Sequence, residues 1–330
     1  MSRTTTRSRK RAIGIIALAS AALLGLSACG SSPSSTSAAP SAAPTAATSA
    51  LGADQWISNP GDFKDAANWD TSEKPTLALG GGAINPGSLD LVAGKPYEIM
   101  VSNSDTVDLG IGAKDFFRAS ALRKTESGAE IKMNLLKEVF AKAGQSIRIF
   151  IVPVVPGTYE LTGLDASGAP VSGMTGTVNV TGALPTKPAP VMAAISTIGI
   201  PAGADEMIAA AIPTWGAKAV VATITMGDTA AAHFYKPKNT VLKVGVPATL
   251  TFVNKGNATH VNEMMDFFKT AALWKIAGAS GWDTAGMAKP ADVDAGITVT
   301  LYLIPTQAGS FTLTDSAPGM ESMNATITVK

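Results

Sequence analysis

Short apolar runs rich in β-branched and aromatic residues recur along the chain, each closed by Gly, Pro or Asn. Tyr97 to Val101, Ser146 to Val152, Thr249 to Val253 and Thr298 to Ile304 are the clearest. Runs of this length bounded by turn residues predict strands. Helix is expected in only a few places: a short stretch after each of two Asp-Phe-Phe triplets, and Ala204 to Ile212. Regular short strands over about 100 residues predict antiparallel sandwiches.

The pattern occurs twice. Ile84-Asn85-Pro86 through Gly94-Lys95-Pro96 parallels Tyr235-Lys236-Pro237 through Gly245-Val246-Pro247, at an offset of 151. At the same offset Asn103 matches Asn254, and Asp115-Phe116-Phe117-Arg118 matches Asp266-Phe267-Phe268-Lys269. One residue is gained before Gly157-Thr158-Tyr159-Glu160-Leu161, which matches Gly309-Ser310-Phe311-Thr312-Leu313. Copies of about 110 residues are a domain duplication; solenoids repeat every 20–50 residues. Since large aromatics favour burial, the Phe pairs read as core. The fold expectation is all-β, two tandem Greek-key β-sandwich domains over 67–182 and 213–330, joined by a Pro/Ala-rich linker over 183–212.

Charge and composition change the picture at the N-terminus. Charged residues are 15% of the chain, and its formal net charge is +1. Five of the 26 basic residues (Arg3, Arg7, Arg9, Lys10, Arg11) fall in residues 1–28, which hold no acid. The remainder carries 21 basic against 25 acidic side chains, so it offers no basic footprint for nucleic acid. After Arg11 comes an apolar run of 15 residues, Ala12 to Leu26. A bilayer span needs about 20 such residues, so the run reads as an export signal over 1–28. Leu26-Ser27-Ala28-Cys29-Gly30 resembles the bacterial lipobox. That resemblance implies an acylated Cys29, with membrane lipid as a partner, at the outer face of the cytoplasmic membrane or within the cell envelope. Ser31 to Ala50 contains only Ser, Pro, Thr and Ala, too little apolar surface to fold. A disordered tether is therefore expected over 29–66.

The close of the second copy carries a family resemblance. It reads Gly309-Ser310-Phe311-Thr312-Leu313-Thr314-Asp315-Ser316-Ala317-Pro318-Gly319-Met320-Glu321-Ser322-Met323. This is similar to the cupredoxins, the blue copper proteins, which often end on G-x-Y-x-x-x-C-x-x-P-G-H, a loop and a methionine. His260, shortly after Asn254, resembles that family's first copper histidine. By the same resemblance Asp315 replaces the cysteine, Met320 replaces the second histidine, and Met323 keeps the axial methionine. In the first copy Leu109 replaces the histidine and Gly163 the cysteine, and only Met174 remains. The resemblance implies a lost site in the first domain and a degenerate one in the second.

Cys29 is the only cysteine, so no disulfide forms within the chain and no thiolate reaches a metal if Cys29 is acylated. A blue type 1 centre needs that thiolate. What remains as the expected copper set is His260, Asp315, Met320 and Met323, with Glu263, Met264 and Met265 as supplements. Thioethers suit Cu(I), imidazole either oxidation state, and carboxylate Cu(II). The competing reading is metal-free: a solvated His260, gap-filling methionines and a turn aspartate. Under it the domains bind an envelope protein partner or serve as a spacer. His233, the other histidine, reads as structural. Gly80-Gly81-Gly82 has no following Gly-Lys-Ser/Thr, so it marks a turn and not a phosphate loop. No nucleophile–base constellation is apparent, and no enzyme activity is expected.

Overall fold

The computed structural model describes residues 51–228 and 233–330. The export signal, Cys29 and the segment 31–50 lie outside the described residues. Among the described residues no helix is long and apolar enough to cross a membrane.

The chain is all-β, two tandem sandwiches that share one strand order. In the first half, one layer runs Thr76–Gly80, Tyr97–Asn103, Ser146–Pro153, Ser120–Glu126. The facing layer runs Ser88–Val92, Pro170–Thr181, Gly157–Asp165, Leu109–Gly112, Glu130–Ala141. The second half repeats both orders. One layer is Val220–Asp228, Ala248–Asn254, Thr298–Pro305, Ala271–Ala277. The other is Asn239–Leu242, Asn324–Val329, Gly309–Asp315, His260–Glu263, Gly281–Val293.

These sheets are mixed, where the sequence suggests antiparallel ones. Each layer starts with one parallel pair, such as Thr76–Gly80 with Tyr97–Asn103 and Asn239–Leu242 with Asn324–Val329. The run-and-turn pattern marks strands but does not say which partner each one takes. Alternation sets the core, as in Ala248–Asn254, where every second side chain is buried. The Phe pairs are interior: Phe116, Phe117, Phe267 and Phe268 are all buried. A short helix carries each pair, at Lys114–Arg118 and Met265–Phe268.

The halves are joined through their edges. Glu130–Ala141 and Gly281–Val293, the outermost strands of matching layers, pair antiparallel with each other. Trp282 stacks on Phe140 across this seam, with ring centroids 4.8 Å apart. Such a pair adds about 0.5–1.5 kcal/mol beyond its buried area. Gly281 permits the close approach, since a Cβ there would lie 1.9 Å from the Phe140 carbonyl oxygen. Polar bonds cross too, from Thr284 to Glu138 at 2.9 Å and from Lys132 to Asp292 at 2.9 Å.

One segment is more structured than expected, and a second forms the short helix expected of it. Residues 51–66, expected within the tether, are ordered. Gln55–Ile57 pairs with Met192–Ala194, and Pro60–Lys64 is helical. Leu51, Ile57 and Phe63 are buried in the first half, apolar content that Ser31 to Ala50 lacks. In the 183–212 segment, helix Ala204–Ala211 packs Ala204 and Ile208 against Trp215, Ala272 and Ile304.

Asp283 is fully buried in the seam, and Thr125 of the other half donates to its Oδ2 at 2.7 Å. Its Oδ1 has no protein partner. Burial pushes this carboxyl from 3.8 up to about 7. Between roughly pH 4 and 7 the folded chain thus holds a proton that the unfolded chain has released, so stability falls as pH rises through that window. Urea denaturation from pH 4 to 8 is expected to show this slope. Asp283→Asn, which keeps the acceptor for Thr125, should flatten it and raise stability at pH 8 by about 1–3 kcal/mol.

Candidate functional site

His260 enters the second half at the start of strand His260–Glu263, directly after the loop that follows Asn254. Asn254 builds that loop. Its side-chain amide donates to the carbonyls of Ala258 at 2.7 Å and Val293 at 2.8 Å, and its Oδ1 accepts from the Gly256 amide at 2.8 Å. Asn103 does the same in the first half, donating to Val107 and Ala141 and accepting from Asp105. The matched asparagines are therefore loop anchors.

The His260 ring is 0% exposed and Asp315 is 2% exposed. Nδ1 of His260 hydrogen-bonds Oδ2 of Asp315 at 2.6 Å. The other oxygen, Oδ1, accepts from the amides of Val261 at 3.0 Å and Ala317 at 2.9 Å. The carboxylate thus ties the His260 strand to the end of strand Gly309–Asp315, whose register places Asp315 beside Asn262. Tyr235 Oη lies within hydrogen-bond reach of Asn262 Oδ1, at 3.0 Å, and of the Thr314 carbonyl, at 3.1 Å. Burial, reinforced by the Asp315 charge, pushes its phenol up, so it stays a neutral donor.

The far side of the imidazole holds a group that the sequence analysis does not identify. Nε2 of His260 is buried without a hydrogen-bond partner, and Oδ1 of Asp228 lies 3.5 Å away. That same oxygen bonds Nδ1 of His233 at 2.7 Å, while Oδ2 accepts from the amides of Asn257 and Ala258. Burial opposes the Asp228 charge, but bonds from His233, Ala258 and Asn257 outweigh it and hold its carboxyl below the usual range. Asp228 and His233 are register partners of two antiparallel strands, so the short spacing of an acid and a histidine along the chain was the available signal. His233, read as structural, belongs to this cluster.

The remaining candidates divide. Met320 and Met323 are both buried in the loop that follows Asp315. The loop closes on itself through Met320 N to Ala317 O and Met323 N to Met320 O, and Asp315 N bonds Met323 O. Met264 and Met323 also belong to the apolar core, with Met265 packed against it. Glu263 is not brought to His260. Strand alternation buries His260 and Asn262 and turns Glu263 out to solvent.

In the first half, Met174 fills the equivalent position. It is wholly buried, and a Cβ on Gly163 would lie 2.2 Å from its Cγ and 2.5 Å from its Sδ. Leu109 is buried where His260 stands in the second half.

No family model matches this sequence, and no curated protein matches it. Solved structures similar to the chain include the copper-containing nitrite reductase of Thermus scotoductus, at 11% identity and TM-score 0.28, covering 78% of this chain and 62% of that one. A multicopper oxidase from Campylobacter jejuni is similar at 12% identity and TM-score 0.29, covering 79% and 64%. The chain thus spans less than two thirds of either protein. The Cu(I) form of an amicyanin variant is similar over 33% of this chain and 82% of its own, at 15% identity and TM-score 0.22.

Two measurements test this local construction. Asn254→Ala is expected to cost about 2–4 kcal/mol in urea denaturation, because it strands buried carbonyls and frees the His260 loop. Gly163→Ala should cost about 1–3 kcal/mol by overpacking against Met174, and adding Met174→Ala should recover part of that loss.

Proposed function

We propose that this chain is a membrane-tethered extracytoplasmic lipoprotein whose second sandwich binds copper in a non-blue site, for capture, storage or delivery. The observation that supports it is the setting of His260. Its ring is buried with a carboxylate at each nitrogen, Asp315 at Nδ1 and Asp228 beyond the unpartnered Nε2. Ligating imidazoles typically direct their second nitrogen at such an outer carboxylate. His260 Nδ1, Asp315, Met320 and Met323 would hold the ion. Among the described residues no three His, Cys, Asp or Glu form a metal cage, so the thioethers would have to complete the set. That donor mixture favours Cu(I) and supplies no thiolate colour. Acylation of Cys29 would anchor the chain.

One observation favours a second, metal-free reading, in which the sandwiches bind an envelope protein or act as a spacer. Asp315 already accepts three hydrogen bonds, one of them from the nitrogen that copper would take. Cu(I) titration of residues 31–330 against a competing chelator separates the two. One-to-one binding, weakened at least tenfold by His260→Ala and by Met320→Ala, supports copper handling. Binding that neither substitution changes, or none at all, supports the metal-free module. An intense blue band with Cu(II) would contradict both.

A further inference from the structure

A cleft lies beside the first half, and none of the residues that line it belongs to the His260 cluster. Helix Lys114–Arg118, the Leu135–Lys137 stretch of strand Glu130–Ala141 and the segment 195–206 enclose a cleft of about 470 Å³. That is within the range of about 300–1,000 Å³ typical of small-molecule sites. Leu135, Leu136, Ile195, Ile200 and Pro201 supply an apolar lining. Leu135 has φ 54°, the only positive φ on a non-glycine among the described residues. Strain of this kind persists where the surroundings over-determine it, commonly at ligand sites. It falls beside a bulge where strands Glu130–Ala141 and Gly281–Val293 shift register between Thr284 and Ala285.

The charges around the cleft are largely spent on the protein itself. Arg118 donates from Nε to Asp115 at 2.8 Å and from its guanidinium to the carbonyls of Gly52 and Gln55. Lys137 pairs with Asp205 at 2.5 Å. Lys114 and Glu206 remain, one cation and one anion, neither in an ion pair among the described residues. An apolar interior with one unspent charge of each sign complements a ligand with an apolar tail and a zwitterionic head. Arg118, which walls the cleft, also holds the segment Gly52 to Gln55 against it.

We infer that this cleft binds the alkyl chain of a single-chain zwitterionic amphiphile, its anionic group toward Lys114 and its cationic group toward Glu206. The inference does not depend on the copper reading.

Calorimetric titration of residues 31–330 with octyl-, decyl- and dodecylphosphocholine, each below its micelle threshold, tests it. Each buried methylene is expected to raise affinity roughly fourfold until the cleft is full. Ala202→Trp and Ser196→Trp, two exposed lining positions, should each weaken decylphosphocholine at least tenfold without altering the thermal midpoint. Lys114→Ala and Glu206→Ala should each weaken it several-fold and leave the matching alkyl maltoside unaffected. No saturable binding, or binding that both tryptophan variants leave unchanged, would overturn the inference. Tighter binding of decyl sulfate than of decylphosphocholine, with no effect of Glu206→Ala, would overturn the zwitterionic assignment.

Discussion

The pairing of Glu130–Ala141 with Gly281–Val293 is the constraint on which the rest of the molecule depends. An unpaired sheet edge leaves a row of backbone donors and acceptors without partners and invites pairing with another chain. Here each half satisfies the other's edge, and the matching layers become one sheet. His260–Glu263 pairs directly with Gly281–Val293, so the strand that carries His260 is held by the seam strand. Leu109–Gly112 pairs with Glu130–Ala141 in the same way. The strands that carry Leu109 and His260 are therefore fixed by the junction of the halves as much as by either interior.

The seam is not uniformly apolar. A stacked Trp282 and Phe140 sit beside a buried Asp283 with one unpartnered oxygen. Lys275 lies over the rings of Trp274, Trp282 and Tyr302, at 4.5, 5.0 and 4.5 Å from their centroids. Desolvation lowers its pKa, the expected direction for an ammonium ringed by aromatics. Polar groups at such a junction make its register specific, because a slipped strand would leave them buried without partners.

Much of the fold was legible in the sequence because the duplication prints it twice. Strand runs, turn residues, the Phe pairs and the matched asparagines each recur, and a feature kept by both copies is a feature of the shape. What was not legible involves partners distant in sequence. Nothing local in Glu130–Ala141 says that it pairs with residues some 150 positions away, or that Gln55–Ile57 joins Met192–Ala194. The candidate site was half legible. His260 and Asp315, singled out by the motif resemblance, do meet. Glu263 was misplaced because its nearness along the chain ignores the alternation of a strand. Asp228 was missed because a lone aspartate at a strand end looks like an ordinary turn residue.

The two asparagine-built loops have a wider implication. Asn103 and Asn254 make equivalent sets of bonds, yet one loop leads to Leu109 and the other to His260. The loop's form is specified upstream of the side chain that confers reactivity. One backbone form therefore accommodates an isobutyl group, with a methionine lying over a glycine, in one half and an imidazole in the other. Shape and reactivity are separately heritable in this architecture. The same loop thus presents an apolar side chain in one half and a buried histidine–carboxylate pair in the other.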